Sequence, residues 1–357
     1  MRAFNCAIRS VPALYSPLRR ITTLCSKQPP SEVQIPLYLR PAKYSATLED
    51  VRKWHSWATE LAFGVGLSFT QMDNGPDSTL LKKELKWFLE DASESVTSPS
   101  QLFAMDGNVS DSVSLKISVD DLYDLWKERI VERRPFQYLV GCEHWRDLIL
   151  SVQEGILIPR PETDLMIDLV EDAIATGGLE DGCWADLGTG SGAIAIGIAR
   201  ILGSSGRVIA TDISPQAVQV ASYNVRRYGL QEKIEVREGS WYEPLKDVKG
   251  KLVGVVSNPP YIPSKKLSSL QAEVGHEPKL ALDGGCSGVE ALQLLVEGAA
   301  SMVKAGGFFA FETNGEEQCE YLRNCLKHCG RCKFCSVKIV PDFAGINRFI
   351  TGFVESS

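Results

Sequence analysis

The chain has 357 residues, of which 44% are hydrophobic and 23% are charged, and its formal net charge is -7. That length suffices for one large domain and a smaller one, and the acidic balance argues against stable binding to nucleic acid. No apolar run approaches the ~20 residues of a membrane-spanning helix, so we expect no membrane association. The ten cysteines are scattered, and no apolar signal-peptide core precedes them, which favours a reduced compartment.

The amino-terminal segment has the composition of a targeting sequence. Its first 31 residues are rich in Ser and Thr, carry five basic side chains and contain no acid before Glu32. This composition is typical of an organelle transit peptide, although a disordered tail with no address would share it. We predict a transit peptide and linker over residues 1–40, and the Ser and Thr content favours a plastid over a mitochondrion.

Residues 41–134 show the periodicity of helices. Apolar residues recur at three-to-four spacing in three segments, which begin near Thr47, Asp77 and Asp120. Residues 91–117 lack periodicity and predict a long disordered loop. The pattern therefore predicts a small helical domain with tryptophans in its core and no obvious sheet. Residues 135–160 follow, and the rough alternation within them predicts a β-hairpin linker.

From Gly182 onward, strand and helix patterns alternate as in a doubly wound α/β fold. The predicted strands are Cys183–Leu187, Arg207–Thr211, Lys233–Arg237, Leu252–Ser257, Gly307–Glu312, Phe334–Val340 and Arg348–Val354. The last two leave no room for a helix between them, so they should pair antiparallel. Six strands with crossovers and an antiparallel seventh are the pattern of a class I methyltransferase sheet. We assign residues 161–357 to this domain.

A glycine-rich loop follows the first of these strands. The stretch Asp186-Leu-Gly-Thr-Gly-Ser-Gly192 ends a strand and begins a helix, so its backbone can approach a ligand closely. Asp212 ends the next strand, where an acid can bind ribose hydroxyls. The predicted cofactor-binding residues are Asp186, Gly188, Thr189, Gly190, Gly192, Asp212, Trp241 and Asn258.

The loop spacing favours S-adenosylmethionine over a dinucleotide. It reads G-x-G-x-G rather than G-x-G-x-x-G, and the sequence shows no separate pyrophosphate site. Trp241, after the third strand, offers an aromatic ring beside the adenine, unless it is simply a core residue. S-adenosylmethionine also accounts for the next motif, which a nicotinamide cofactor leaves unexplained.

That motif is Asn258-Pro259-Pro260-Tyr261, at the end of the apolar strand Leu252–Ser257. Two prolines end the strand and stiffen the turn. The Asn258 side chain is thereby placed at the carboxyl edge of the sheet, where open α/β sheets bind ligands. Its amide offers both a donor and an acceptor, which suits a planar amine or amide. A simple strand-ending turn is the structural alternative.

The chain from about Arg133 to its end resembles the PrmC/HemK family of protein-(glutamine-N5) methyltransferases. The resemblance rests on residues 133–141, 157–163, 186–192, 258–262, 277–285 and 342–348. The stretch Ile-Pro-Arg-Pro-Glu-Thr, residues 158–163, is more specific than Asn-Pro-Pro-Tyr, which many amino methyltransferases share. Ser240 departs from the pattern, since relatives often carry an acid there.

The resemblance implies methylation of the glutamine in the Gly-Gly-Gln segment of class I peptide chain release factors. Asn258, Pro259 and Tyr261 are the expected catalytic residues, with the Asn258 side-chain oxygen and the Pro259 carbonyl accepting the two amide N–H bonds. Tyr261 would pack against the amide plane. The expected substrate-binding residues are Asn258, Pro259, Pro260, Tyr261, Arg160 and Glu162.

Two other functions share some of these motifs. An adenine-N6 or cytosine-N4 methyltransferase acting on DNA or RNA would grip an exocyclic amine in this way, but such enzymes usually carry a basic face. A scaffold protein that binds S-adenosylmethionine without turnover would have no need of Asn-Pro-Pro-Tyr.

Four cysteines near the carboxyl terminus have spacings that could bind zinc or an iron–sulfur cluster. They are Cys325, Cys329, Cys332 and Cys335. The segment passes from a helix end through a turn into a strand, and the family resemblance implies no metal there. We therefore predict free thiols and no metal site.

Overall fold

The computed structural model describes residues 33–94, 112–328 and 334–355. Residues 1–32 of the predicted transit peptide and linker therefore lie outside the described residues. Residues 33–40 are described, and the linker predicted there is instead packed on the helical part, where Leu37 is 1% exposed. From Val33 onward the chain packs as one unit. No helix within the described ranges is long and apolar enough to cross a bilayer.

The amino-terminal part contains the three predicted helices and shorter elements between them. In chain order these are β1 Tyr44–Thr47, α1 Leu48–Val65, α2 Ser68–Asp73, α3 Ser78–Ala92, β2 Ser112–Leu115 and α4 Val119–Val131. Each of the three long helices begins at a polar cap, because the side chains of Thr47, Asp77 and Ser118 accept a first-turn backbone N–H. The third cap is Ser118, ahead of the predicted acidic start, and it forms a capping box with Asp121.

The expectation that this part has no sheet is wrong, because β1 and β2 pair antiparallel. Strand β2 lies inside the segment 91–117, for which the sequence predicts a disordered loop. Its Val113 and Leu115 are buried while the serines beside them are exposed. Four residues are too few to reveal this alternation, and the partner strand is distant in sequence. Residues 95–111 of the predicted loop lie outside the described residues.

The helical core forms around two tryptophans, as predicted. Trp54 and Trp126 are fully buried, and Trp126 Nε1 donates a hydrogen bond to the Ala58 carbonyl at 3.0 Å. Trp87, by contrast, is 47% exposed. Within the helical part, Trp54 and Trp126 are therefore core residues and Trp87 is a surface residue.

A hairpin connects the helical part to the sheet. The elements here are α5 Phe136–Val140, β3 Cys142–Trp145, β4 Leu148–Ser151 and α6 Leu165–Gly177. Strands β3 and β4 pair antiparallel, in the segment for which the sequence predicts a hairpin. Asn224 binds this hairpin through Ser151, accepting from its N–H at 2.9 Å and donating to its carbonyl at 3.0 Å. The same amide donates to the Ser191 carbonyl at 2.9 Å, so one buried side chain joins the hairpin to the glycine loop.

The predicted doubly wound sheet is confirmed. Its strands are β5 Cys183–Leu187, β6 Arg207–Asp212, β7 Ile234–Glu238, β8 Leu252–Ser257, β9 Val303–Glu312, β10 Phe334–Pro341 and β11 Asn347–Val354. The helices that follow α6 are α7 Ala193–Ile201, α8 Pro215–Arg227, α9 Lys279–Leu282, α10 Glu290–Met302 and α11 Glu316–Lys327. The strand order is β10-β11-β9-β8-β5-β6-β7, and β11 runs antiparallel to both of its neighbours.

The register of the central strands determines where the polar residues meet. Strands β6, β5, β8 and β9 are mutually parallel neighbours, and Ser257 pairs with both Leu187 and Phe311. The residues directly after these three therefore lie side by side at the carboxyl edge of the sheet. They are Gly188, Asn258 and Glu312, and this edge is the ligand-binding edge of open α/β sheets.

Candidate active site

The glycine loop is held in a conformation that only glycine adopts readily. Gly188, Gly190 and Gly192 have φ angles of 75°, 57° and 86°, all in the left-handed region. The backbone N–H groups of Gly188 and Thr189 donate to the Thr211 carbonyl at 2.8 and 2.9 Å. The loop after β5 is therefore attached to the end of β6, and its open side faces a cavity.

Asp186 stabilises this loop through hydrogen bonds on the side away from the cavity. Its Oδ2 accepts hydrogen bonds from Thr189 Oγ1 at 2.6 Å and from the Ala195 N–H at 3.1 Å. Its Oδ1 is the only buried side-chain oxygen in the described part of the chain without a hydrogen-bond partner. Burial raises the pKa of Asp186 to about 7. Asp186 does not line the cavity, so the structure places it behind the loop rather than in the cavity wall.

Asp212 ends β6 and faces the cavity directly. One carboxylate oxygen accepts the Gly190 N–H at 2.9 Å and the other accepts the Ser214 N–H at 2.9 Å. Burial raises the pKa of this carboxyl. Each oxygen of an ionised carboxylate has a second acceptor position. Asp212 can therefore accept two more hydrogen bonds, which matches the two hydroxyls of a ribose.

Trp241 completes this end of the cavity. Its backbone has a φ of 46°, an uncommon conformation for a bulky residue. Its ring lies close to Gly188, with Cζ3 3.4 Å from the position that a Cβ on that glycine would take. The ring is half-buried and forms part of the cavity wall, as expected for a face beside an adenine.

The cavity has a volume of about 260 Å³ and extends from the glycine loop to the end of β8. Its wall includes Thr163, Gly188, Thr189, Gly190, Asp212, Ser240, Trp241, Asn258, Pro260, Pro278 and Leu280. Six of the eight predicted cofactor residues, among them the predicted amide-binding residue Asn258, therefore share one cavity, whereas Asp186 and Gly192 do not line it. Ser240, where relatives often carry an acid, is also in the wall.

The Asn-Pro-Pro-Tyr turn is tied to its surroundings by side chains. Ser257 Oγ donates to the Leu187 carbonyl at 2.6 Å, which joins the ends of β8 and β5. Asn258 Nδ2 donates to Thr163 Oγ1 at 3.0 Å. Tyr261 Oη donates to Glu312 Oε1 at 3.1 Å, and its carbonyl accepts from Gln318 Nε2 at 2.8 Å. The Tyr261 side chain thus points to Glu312, and neither it nor Pro259 lines the cavity.

Three residues in this arrangement were not predicted from the sequence. Thr163 and Glu312 join Asn258 to Tyr261, and Gln318 holds the Tyr261 backbone. Thr163 Oγ1 donates to Glu312 Oε2 at 2.7 Å. A signal was available for Glu312, because it is an acid that ends an apolar strand, as Asp212 does. Thr163 belongs to the most specific motif, but its partner lies 149 residues away.

Arg160 and Glu162, expected at the substrate, take different places. Arg160 Nη2 donates to Glu277 Oε1 at 2.7 Å, and Glu277 Oε2 accepts the Ile158 N–H at 3.1 Å. Arg160 lines a second cavity, of about 410 Å³, together with Glu84, Arg129 and Glu273. Glu162 begins the 3-10 turn Glu162–Asp164 and lines neither of these two cavities. The ion-pair partner of Arg160 is therefore Glu277 and not Glu162.

The carboxy-terminal cysteine cluster is described only in part. Cys325 and Cys335 are free thiols, while Cys329 and Cys332 lie outside the described residues. Within the described ranges no group of three or more His, Cys, Asp or Glu side chains could hold a metal ion. The prediction of free thiols at all four positions stays a prediction.

The cofactor follows from the fit of these residues. The glycine loop gives close backbone approach, Asp212 offers acceptors for a diol, and Trp241 offers an aromatic face. The other strands of the sheet are parallel to one another, and the antiparallel seventh strand, β11, lies between β9 and β10. Fold and site together define a class I methyltransferase that uses S-adenosylmethionine.

Comparison with known proteins identifies the family. A family model described as the methyltransferase small domain matches residues 162–277. A release factor glutamine methyltransferase from Synechocystis is 35% identical over 309 residues, which cover 85% of this chain and 96% of that protein. Similar proteins of the same name from Thermosynechococcus vestitus and Gloeobacter violaceus are 36% and 38% identical, and the matches cover 74% and 67% of this chain and 85% and 82% of theirs. The chain belongs to the release factor glutamine methyltransferase family.

Proposed function

We propose that this chain transfers a methyl group from S-adenosylmethionine to the side-chain amide nitrogen of the glutamine in the Gly-Gly-Gln segment of a class I peptide chain release factor. The observation that carries the proposal is the shared cavity, where Asn258 and Pro260 lie in one wall with the glycine loop and Asp212. The family supplies the substrate class. The cavity can perform the reaction, because Asn258 can hold an amide group beside the methyl donor bound at the glycine loop and Asp212.

The chemistry requires orientation more than a strong base. An amide nitrogen is a poor nucleophile, because its lone pair is delocalised into the carbonyl. S-adenosylmethionine, when bound, supplies an electrophilic methyl group on a positively charged sulfur. In our proposal the Asn258 side-chain oxygen accepts one N–H bond of the glutamine amide from the cavity wall. The Pro259 carbonyl, which is bonded directly to Pro260 in that wall, accepts the other. They hold its nitrogen in line with the methyl group and stabilise the positive charge that develops on it.

The rest of the cavity would hold the cofactor. Asp212 binds the ribose hydroxyls through the acceptor positions left free by Gly190 and Ser214. Trp241 contacts the adenine. The beginning of α7, which follows the glycine loop, presents free N–H groups to the carboxylate of the methionine part.

Labelled S-adenosylmethionine tests the proposal. The purified protein is incubated with an organellar class I release factor, with the same factor carrying asparagine in place of the Gly-Gly-Gln glutamine, and with organellar RNA. We expect label on the first substrate only, because asparagine places the amide one methylene too short. Label on RNA would replace the proposal with a nucleic-acid methyltransferase. Cofactor binding without transfer to any of the three would replace it with a binding scaffold.

We further propose that the protein acts in a plastid. This proposal rests on the amino-terminal composition alone, which is basic, hydroxyl-rich and free of acids through residue 31. A fluorescent fusion of the first 60 residues tests it in plant cells, and a matched fusion with the five basic residues changed to glutamine is the control. We expect plastid fluorescence that the control loses. Mitochondrial or cytosolic fluorescence of the unaltered fusion would contradict it.

A further inference from the structure

A buried string of hydrogen bonds runs behind Asn258. Asn258 Nδ2 lies 3.0 Å from Thr163 Oγ1, and Thr163 Oγ1 lies 2.7 Å from Glu312 Oε2. Tyr261 Oη lies 3.1 Å from the other oxygen of Glu312. Glu312 is fully buried and Thr163 is 3% exposed. Bulk water therefore cannot substitute for any bond between these two residues.

The donor and acceptor roles along this string follow from the chemistry of its members. An ionised carboxylate only accepts hydrogen bonds, so both Thr163 and Tyr261 donate their hydroxyl hydrogens to Glu312. Thr163 then offers only lone pairs to its other neighbour. Asn258 must therefore turn its Nδ2 toward Thr163, and its Oδ1 lies on the opposite branch of the amide. In the described part of the chain no group donates to this oxygen.

Glu312 has little value as a stabilising ion pair. The nearest cation on the neighbouring strand is Arg348, but its Nε donates to Asp342 at 3.2 Å and its Nη1 to the Thr313 and Asn314 carbonyls. A carboxylate held in the core by two neutral hydroxyls retains much of its desolvation penalty. A group that is unfavourable for folding and adjacent to a ligand cavity is best explained by a role in the site.

We propose that Glu312, acting through Thr163, is a positioning residue that fixes the Asn258 amide with its oxygen toward the substrate. The inference rests on the proposed function, because it assigns Asn258 the task of accepting an N–H bond from the substrate glutamine. With the amide reversed, the N–H groups of the Asn258 side chain would face the N–H group of the substrate amide, and no hydrogen bond could form between them. The negative charge at the far end of the string also polarises its members, which makes Asn258 Oδ1 a stronger acceptor.

Two substitutions of one side chain separate this role from plain packing. Thr163→Val keeps the volume and shape but removes the hydroxyl, whereas Thr163→Ser keeps the hydroxyl and removes a methyl group. With release factor as substrate, Thr163→Val should lower kcat by about 10- to 100-fold, as loss of a supporting hydrogen bond does at other sites. Thr163→Ser should recover most of that loss. The Kd for S-adenosylmethionine, measured by calorimetry, should change by less than about threefold in both.

A double-mutant cycle shows whether Thr163 acts through Asn258. In an Asn258→Ala background, Thr163→Val should have almost no further effect on kcat, because the group that it positions is gone. Additive losses would contradict the inference. So would a Thr163→Ser variant as slow as Thr163→Val, since that would assign the loss to packing.

A second readout does not depend on turnover and so separates failure of this inference from failure of the proposed function. With asparagine labelled with nitrogen-15, the two side-chain amide protons of Asn258 report the hydrogen bond to Thr163. One of them should be shifted downfield in the wild type and in Thr163→Ser, and should lose that shift in Thr163→Val. Identical spectra in all three would overturn the inference, even if the enzyme methylates release factors. An unmethylated release factor with the expected spectra would overturn only the proposed function.

Discussion

Arg133 donates two hydrogen bonds to the Glu273 carboxylate, one from Nε to Oε1 at 2.6 Å and one from Nη2 to Oε2. Arg129, on α4, adds a third bond to the same carboxylate at 3.1 Å. Glu273 lies in the segment between Pro260 and α9. That segment provides Pro278, and α9 provides Leu280, to the wall of the first cavity. One buried carboxylate thus connects the helical part of the molecule to the wall of the active-site cavity.

Glu273→Gln should therefore destabilise the protein strongly. Burial alone would raise the pKa of Glu273, but the hydrogen bonds from Arg133 and Arg129 hold it below its ordinary value. Removing the negative charge takes one carboxylate partner from each of two buried guanidinium groups, while Arg129 keeps Glu84 and Arg133 keeps Asp73. We expect a loss of about 1.5–3 kcal/mol in the free energy of unfolding. Chemical denaturation measures it.

The matched control for this change is Glu49→Gln. Glu49 pairs with Lys53 at 2.6 Å on the surface of α1, in an i,i+4 arrangement exposed to solvent. Such exposed pairs contribute little to the free energy of unfolding, because solvent screens their charges. Equal losses in the two variants would show that the Glu273 contacts contribute no more to the free energy of unfolding than an exposed ion pair does.

Asn258→Ala should abolish methyl transfer while leaving cofactor binding nearly intact. Asn258 follows β8 and Asp212 ends β6, with β5 between these strands, so removing the Asn258 side chain deletes the acceptor for the substrate amide without touching the Asp212 contacts. We expect kcat to fall by about 10²- to 10³-fold, the usual loss when a group that stabilises developing charge is removed. A methylation assay beside calorimetric binding of S-adenosylmethionine checks it. Near-normal turnover would remove Asn258 from the mechanism.

Asp212→Asn should have the opposite signature, with weaker cofactor binding and an intact substrate end. An amide accepts through one atom only, so it cannot serve Gly190, Ser214 and two ribose hydroxyls together. We expect the Kd for S-adenosylmethionine to rise by about 10- to 100-fold, as for the loss of one or two charged hydrogen bonds. Glu238→Gln, one strand away and outside the cavity wall, is the control and should bind normally.

Turnover should depend on pH through Glu312. Burial is the main reason that the pKa of Glu312 is raised from 4.5 to about 7, and the charge of Glu162 adds to it. The bonds from Thr163 and Tyr261 and the charge of Arg348 oppose the rise. Above pH 7 the carboxylate accepts both hydroxyls, whereas below it the bound proton reverses one of those bonds. We expect kcat to fall as the pH is lowered from about 8 to about 6. Glu312→Gln should show a low kcat without this step, and an unchanged step would exclude Glu312 as its origin.

The free energy of unfolding should also depend on the ionisation of Glu312. It should fall as the pH rises, whereas kcat should rise. The native pKa lies above the unfolded one, so ionisation of Glu312 is penalised only in the folded state. Its favourable contribution is fully present below about pH 4.5 and is lost as the pH rises through about 7. Glu312→Gln should consequently be at least as stable as the wild type at pH 8. A variant that is slow but stable would confirm that the carboxylate acts in the site rather than in folding.

The sequence predicts the sheet well because its strands carry local signals. The apolar run Leu252–Ser257 is buried along its whole length and is ended by two prolines, so its bounds were predicted without error. Glycine spacing and the acid at 212 likewise locate the cofactor end. What sequence reasoning missed depends on pairs distant along the chain. Strand β2 forms by pairing with β1, and Thr163 takes its orientation from a hydrogen bond to Glu312. The Asn258 orientation depends on such a pair, and no local pattern encodes it.

The anchor at Asn224 bears on how this chain can be divided. Its amide is shared between Ser151 in the hairpin and Ser191 in the glycine loop. A fragment that begins at residue 161 would lack the hairpin and leave Asn224 with buried groups unpaired, beside the loop that receives the cofactor. The smallest fragment able to bind S-adenosylmethionine should therefore begin before Cys142. The hairpin is then an integral part of the cofactor site and not a flexible tether between two modules.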